Sequence, residues 1–159
     1  MTTTAVRTPR TVPYRDGDVM GLTFAVAPRR GDAPPRAADA CRVGNMRRIA
    51  AARLRYCGLE AMTDDVMLIV SELLTNAILH SRTTEISLSM TIRDGFLRIT
   101  IVDGMPGGAT PKHANANAES GRGLALVEAV VKENGGNWGT CNAGAGTWCM
   151  LAVPAEERS

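Results

Sequence analysis

Aromatic side chains are scarce in this chain: two Trp, two Tyr and two Phe among 159 residues. A core of single-domain size must therefore be filled by Leu, Val, Ile, Met and Ala. Long apolar runs are absent as well. No stretch approaches the ~20 residues of a membrane span, and the N-terminus lacks the apolar segment of a secretory signal, so a cytoplasmic protein is expected. A net charge of +2 gives no general attraction to nucleic acid, and no DNA-binding motif accompanies it. Cys41, Cys57, Cys141 and Cys149 have no C-x-x-C spacing and no neighbouring His, which argues against zinc. Buried, reduced thiols are expected instead, although Cys141 and Cys149 flank a hairpin where an oxidising compartment would let them meet. A Walker A loop is excluded because no G-K-[ST] occurs. The dinucleotide-binding fold is excluded because its glycines should follow a first strand, and here they come late.

What is present begins with residues 1–18, rich in Thr, Arg and Pro and without periodicity, which read as a disordered tail before a single domain over 19–159. A strand is expected over Leu22–Ala27, and a helix from Arg36 to Tyr56 with Val43, Met46, Ala50, Leu54 and Cys57 on one face. Between Arg29 and Arg55 lie eight arginines against Asp32 and Asp39, either a solvated face or a docking surface for an acidic protein. Thr63 reads as a hydroxyl cap, and Asp64 and Asp65 suit the first turn of the helix that follows. In that helix Val66, Ile69, Val70, Leu73, Leu74 and Ala77 form an apolar stripe, with Glu72 and Asn76 one turn apart at its shoulder.

The clearest strand signal comes next. Ile86, Leu88, Met90 and Ile92 alternate with polar residues, and Asp94-Gly95 predicts a two-residue hairpin turn. That turn pairs Ile92 with Leu97, Met90 with Ile99 and Leu88 with Ile101, so Asp103 faces the apolar side. A carboxylate there requires a partner, either an internal donor or a ligand. Gly104–Ser120 reads as a long functional loop in which Lys112 is within reach of a phosphate. Gly121-Arg122-Gly123 opens a helix that Asn134-Gly135-Gly136 ends, and a closing hairpin runs through Trp138–Cys141 and Thr147–Val153. This order gives an α+β two-layer sandwich, a mixed, mainly antiparallel sheet with helices on one face.

Together these residues resemble the Bergerat-fold (GHKL) ATP-binding family, and within it the stand-alone bacterial anti-sigma-factor serine kinases. SELLTNAILHS is similar to the family's N-box, VDGMPGG to its adenine loop, ESGRGLALVEAVV to its glycine-rich phosphate segment and AGAGTW to its terminal Gly-Thr element. The resemblance implies ATP and Mg2+ as cofactors. It gives Asn76 the magnesium, Glu72 the role of general base towards a protein serine, and Asp103 the adenine amino group. Gly107 would belong to the adenine loop, Thr147 would support the adenine end, and Gly121, Arg122 and Gly123 would hold the phosphates. It also implies a sigma factor and an anti-anti-sigma protein as partners, and a homodimer. Two positions depart from the pattern: Met105 stands where the D-x-G-x-G loop has its first glycine, and Glu119 where some of these kinases carry arginine. Both favour an alternative, a non-catalytic ATP-gated module that binds a transcription regulator. A histidine-kinase fragment is the third option, weakened because the expected phosphoacceptor helices are not seen in the sequence.

Overall fold

The computed structural model describes residues 16–27, 37–80, 84–103, 118–141 and 145–154. Five strands and three helices make up the described chain: β1 (Gly17–Ala25), α1 (Ala37–Tyr56), α2 (Thr63–His80), β2 (Glu85–Arg93), β3 (Phe96–Val102), α3 (Ala118–Glu133), β4 (Asn137–Cys141) and β5 (Gly146–Ala152). The strands form one sheet in the order β1-β2-β3-β5-β4, and every neighbouring pair is antiparallel. The α+β sandwich is therefore as expected, with a wholly antiparallel sheet.

The central hairpin forms in the register that its turn dictates. Asp94 and Gly95 both have positive φ, 52° and 82°, as a two-residue turn matched to strand twist requires. Ile92 then faces Leu97, Met90 faces Ile99 and Leu88 faces Ile101. All six are buried, and they pack beneath Val66, Ile69, Val70, Leu73 and Leu74 of α2. Met46, Ala50 and Leu54 of α1 complete the same core, so the stripes read from α1 and α2 face inward, with Val43, Cys57 and Ala77 half-buried at their margins.

Several local readings change. β1 starts at Gly17, five residues before the expected Leu22, because a bulge between Asp18 and Met20 breaks the alternation and lets Val19 and Met20 both turn inward. Thr63 is not an extended cap. It has helical φ and ψ, and its N–H donates to the Glu60 carbonyl of a short 3-10 turn that leads directly into α2. Cys41 is exposed rather than buried. Cys141 pairs with Gly146 while Cys149 lies three residues further along β5, so the two thiols project from opposite faces of the sheet and the disulfide reading fails. Residues 1–15 of the expected tail lie outside the described residues.

α3 ends as its glycines foretell. Gly135 has φ 66°, its N–H donates to Lys132 O at 3.1 Å, and Gly136 N–H reaches Val131 O at 2.9 Å, the paired bonds of a Schellman cap. Gly136 is also where the chain crosses β5 at closest range, since a Cβ there would overlap the Met150 carbonyl oxygen. Backbone offers no flexible end that can swing aside. Gly136→Ala should therefore cost about 2–3 kcal/mol and lower the melting midpoint by roughly 5–10 °C, read by differential scanning calorimetry. An unchanged midpoint would mean the crossing is looser than the geometry indicates.

Cys149 sits fully buried on the helix-facing side of β5, and burial pushes its thiol from 9.0 up to about 12. A raised folded-state value means the thiol's contribution is intact below about pH 9 and is lost as pH climbs towards 12. Over that window each pH unit removes about 1.4 kcal/mol per proton. Urea midpoints of wild type and Cys149→Ala should thus converge as pH rises. Parallel pH profiles would contradict the assignment.

Candidate nucleotide site

The elements that carry the sequence motifs converge at one end of the sandwich. α2 runs into β2 after a short connection, so its C-terminal end, with Asn76, lies beside the start of β2. The start of β2 pairs with the end of β3, where Asp103 follows, and the end of β3 pairs with the start of β5, where Gly146 faces Val102. α3 packs against α2 in the opposite direction. Asn134, beyond the C-terminal end of α3, donates its amide to Asp65 Oδ2 near the N-terminus of α2 at 2.9 Å, and Gly123 meets Glu72 two turns further along. Continuing that register carries Asn76 to the level of the first turn of α3.

Glu72 and Asn76 are both half-buried, on the shoulder of the α2 stripe where the sequence places them. The Glu72 carboxylate lies directly against Gly123, so closely that a Cβ at 123 would overlap Glu72 Oε1. Two motifs 51 positions apart in the chain are thereby brought into contact, and the contact depends on the missing side chain. The turn of α2 that bears Glu72 is also tethered from α1: Arg47 Nη1 donates to Ser71 Oγ at 3.2 Å, with its Nε buried and unbonded. Arg47 escaped sequence reading. It lies beside the buried Met46, and nothing in its spacing singles it out from seven other nearby arginines.

Asp103 faces inward as its register requires and is only 8% exposed, one of two buried charged residues among those described. Its backbone N–H donates to Ala145 O at 2.8 Å, which holds the chain at 103 beside the start of β5. Thr147 stands opposite Ile101 on β5, so it shares the helix-facing side with Asp103 one rung away on the adjacent strand. The second buried acid, Asp39, accepts the Ala27 N–H at 3.0 Å and ties the start of α1 to the end of β1. That role is structural.

α3 begins at Ala118, three residues before the glycine expected to open it, so Gly121, Arg122 and Gly123 lie within its first two turns. In a helix that starts there, the unpaired N–H groups are those of residues 118–121. The expected loop therefore ends at 117, and its residues 104–117, with Met105, Gly107, Lys112 and His113, lie outside the described residues.

The assembled groups suit a nucleotide with a hard cation. Asp103 offers a buried acceptor for an amino group, Thr147 a hydroxyl beside it, and the α3 N-terminus a backbone-donor end for an anion. Glu72 and Asn76 present oxygen atoms, which magnesium prefers, together with ligand phosphates and water. Asn76 would hold the ion, and the ion would neutralise phosphate charge. None of the described helices is long and apolar enough to cross a membrane.

The family comparison agrees with an ATP-binding domain. The family described as histidine kinase-like ATPase domain matches residues 36–142, more than half of the chain. Among solved structures, the chain is similar to the Acinetobacter baumannii histidine kinase AdeS, at 22% identity over 57% of this chain and 47% of that one, with a TM-score of 0.47. It is also similar to the Erythrobacter litoralis EL346 blue-light activated histidine kinase, at 26% identity over 62% of this chain and 32% of that one, TM-score 0.43. The histidine kinase domain of that protein matches at 23% identity over 76% of this chain and 62% of the other, TM-score 0.45. In each case the match spans less than two thirds of the solved chain. With the motif-bearing elements gathered at one end of an antiparallel α+β sandwich, the chain belongs to the histidine kinase-like ATPase domain family and is a GHKL-type ATP-binding domain.

Proposed function

We propose that this ATP-binding domain is a protein serine kinase of the anti-sigma-factor type, acting on an anti-anti-sigma protein and binding a sigma factor. The observation that carries the reading is the contact between Glu72 and Gly123, which sets a carboxylate beside the segment expected to hold the phosphates. In the reaction, the serine oxygen of the target bonds to the terminal phosphorus of ATP as the bond to ADP breaks, and the hydroxyl proton passes to Glu72. Asp103 and Thr147 orient the adenine, Asn76 would hold magnesium, and the α3 N-terminus orients the phosphate end. Most of the rate comes from positioning rather than covalent chemistry.

Incubation with labelled ATP and candidate antagonist proteins tests the proposal. Label on the target should survive acid, as a phosphoserine does. Acid-labile label would instead assign a phosphohistidine and place the chain with histidine kinases in chemistry as well as fold. Tight ATP binding without any labelled target would support the second reading, a nucleotide-gated module, for which the sequence departures Met105 and Glu119 speak.

A further inference from the structure

The outward face of α1 carries a seam that the nucleotide site does not use. Asn45, Ile49, Ala52 and Tyr56 recur at alternating spacings of four and three, and all four are exposed, Tyr56 at 79% and Ile49 at 37%. That is the repeat with which one helix packs along another. Of the three large exposed hydrophobic residues among those described, two lie on this seam. The residues that flank it are Arg48 and Arg55 on one edge and Arg53 on the other. Arg53 stacks over the Tyr56 ring at 5.2 Å, which holds the aromatic group in place, and Arg48 reaches back to Asn45. The acid of α1, Asp39, is buried and bonded to the Ala27 N–H, so it contributes nothing to this surface. Glu60 meets Arg55 at 3.5 Å from beyond the helix.

We infer that this face docks an acidic amphipathic helix of a protein partner. The seam, apolar from Ile49 onwards, fits a helical ridge, and flanking positions set partner choice by charge. A second copy of the same helix would set arginine against arginine, so self-pairing through α1 is disfavoured. A partner with apolar seam residues and Glu or Asp at the flanks satisfies both requirements. Tyr56 and the arginines are residue types that anchor interfaces, and the Arg53 stack limits the ordering that Tyr56 must undergo on binding. The inference is read from α1 alone and stands whether or not phosphate is transferred.

The test uses a fluorescein-labelled three-heptad synthetic helix with Leu along its seam and Glu at the flanks, and a twin with Lys at the flanks. The full chain should bind the acidic helix at least about tenfold more tightly than its twin, with affinity that weakens as salt rises. Arg48→Glu with Arg55→Glu should reverse that preference, and Tyr56→Ala should weaken both peptides by roughly tenfold or more. Mg-ATP titration of each variant reports separately on the nucleotide site and on folding. Equal affinity for the two helices, or a preference untouched by the charge reversal, would overturn the inference. So would tighter binding to short duplex DNA or to phosphatidylserine vesicles than to the acidic helix.

Discussion

Asp103→Asn should weaken Mg-ATP binding by roughly 100-fold or more if the buried carboxylate receives the adenine amino group as proposed, because such a site is unforgiving of a changed partner. The substitution conserves shape but exchanges a carboxylate, which only accepts, for an amide with an acceptor and a donor. If the amide turns its NH2 towards the purine, donor meets donor; if it turns its oxygen, the charge assistance is gone. Position leaves little room for rescue, since the Asp103 N–H is bonded to Ala145 O at 2.8 Å and the residue is 8% exposed. Isothermal titration of wild type and variant gives the affinities, and the thermal midpoint in the absence of nucleotide separates a damaged site from a damaged fold. Unchanged ATP affinity in a folded variant would remove Asp103 from the site. That result would take with it the argument that the strand register selects the ligand.

The inward aspartate was legible in the sequence because a two-residue turn leaves a hairpin no freedom of register. Asp94-Gly95 sets the pairing, the pairing sets the parity, and parity alone turns Asp103 to the apolar face. The helix stripes were legible for a similar reason, since periodicity states which face is apolar before anything is known of what covers it. β1 was legible only in part. Its bulge turns two consecutive residues inward, and alternation cannot report a position where alternation fails. The thiols show the same limit: Cys141 and Cys149 look like neighbours along the chain, but their ladder partners, Gly146 and Trp138, put them on opposite faces.

Strand order was beyond reach of local pattern altogether. β5 lies between β3 and β4, so the chain passes from β3 through α3, forms the edge strand β4, and only then returns to fill the gap. That order is what sets Thr147 one rung from Asp103, and it follows from long-range pairing rather than from any residue near either position. The start of α3 was misread for a more local reason. Glycine lowers helix propensity, so a G-x-G reads as a boundary, whereas here the helix runs through it from Ala118. The glycine at 123 is accounted for by a neighbour on another helix, the Glu72 carboxylate. That contact is visible only once α2 and α3 are packed.

If Glu72 is the general base proposed above, Glu72→Gln should leave ATP affinity within about threefold and reduce transfer to a protein hydroxyl by 10²- to 10⁴-fold. Gly123→Ala gives a sharper test, because it acts on the same carboxylate without touching it chemically. The added methyl overlaps Glu72 Oε1, the end of a flexible side chain, so the carboxylate must swing away while the backbone stays in place. Stability should hold or rise by up to about 1 kcal/mol, since alanine favours a helix over glycine. Transfer should nevertheless fall by roughly tenfold or more, as a displaced base loses its alignment. Single-turnover kinetics with saturating ATP, set beside thermal midpoints, would read both quantities in the same preparation. A variant that melts earlier yet transfers phosphate at the wild-type rate would reduce the Glu72–Gly123 contact to packing, and the proton would then need another acceptor.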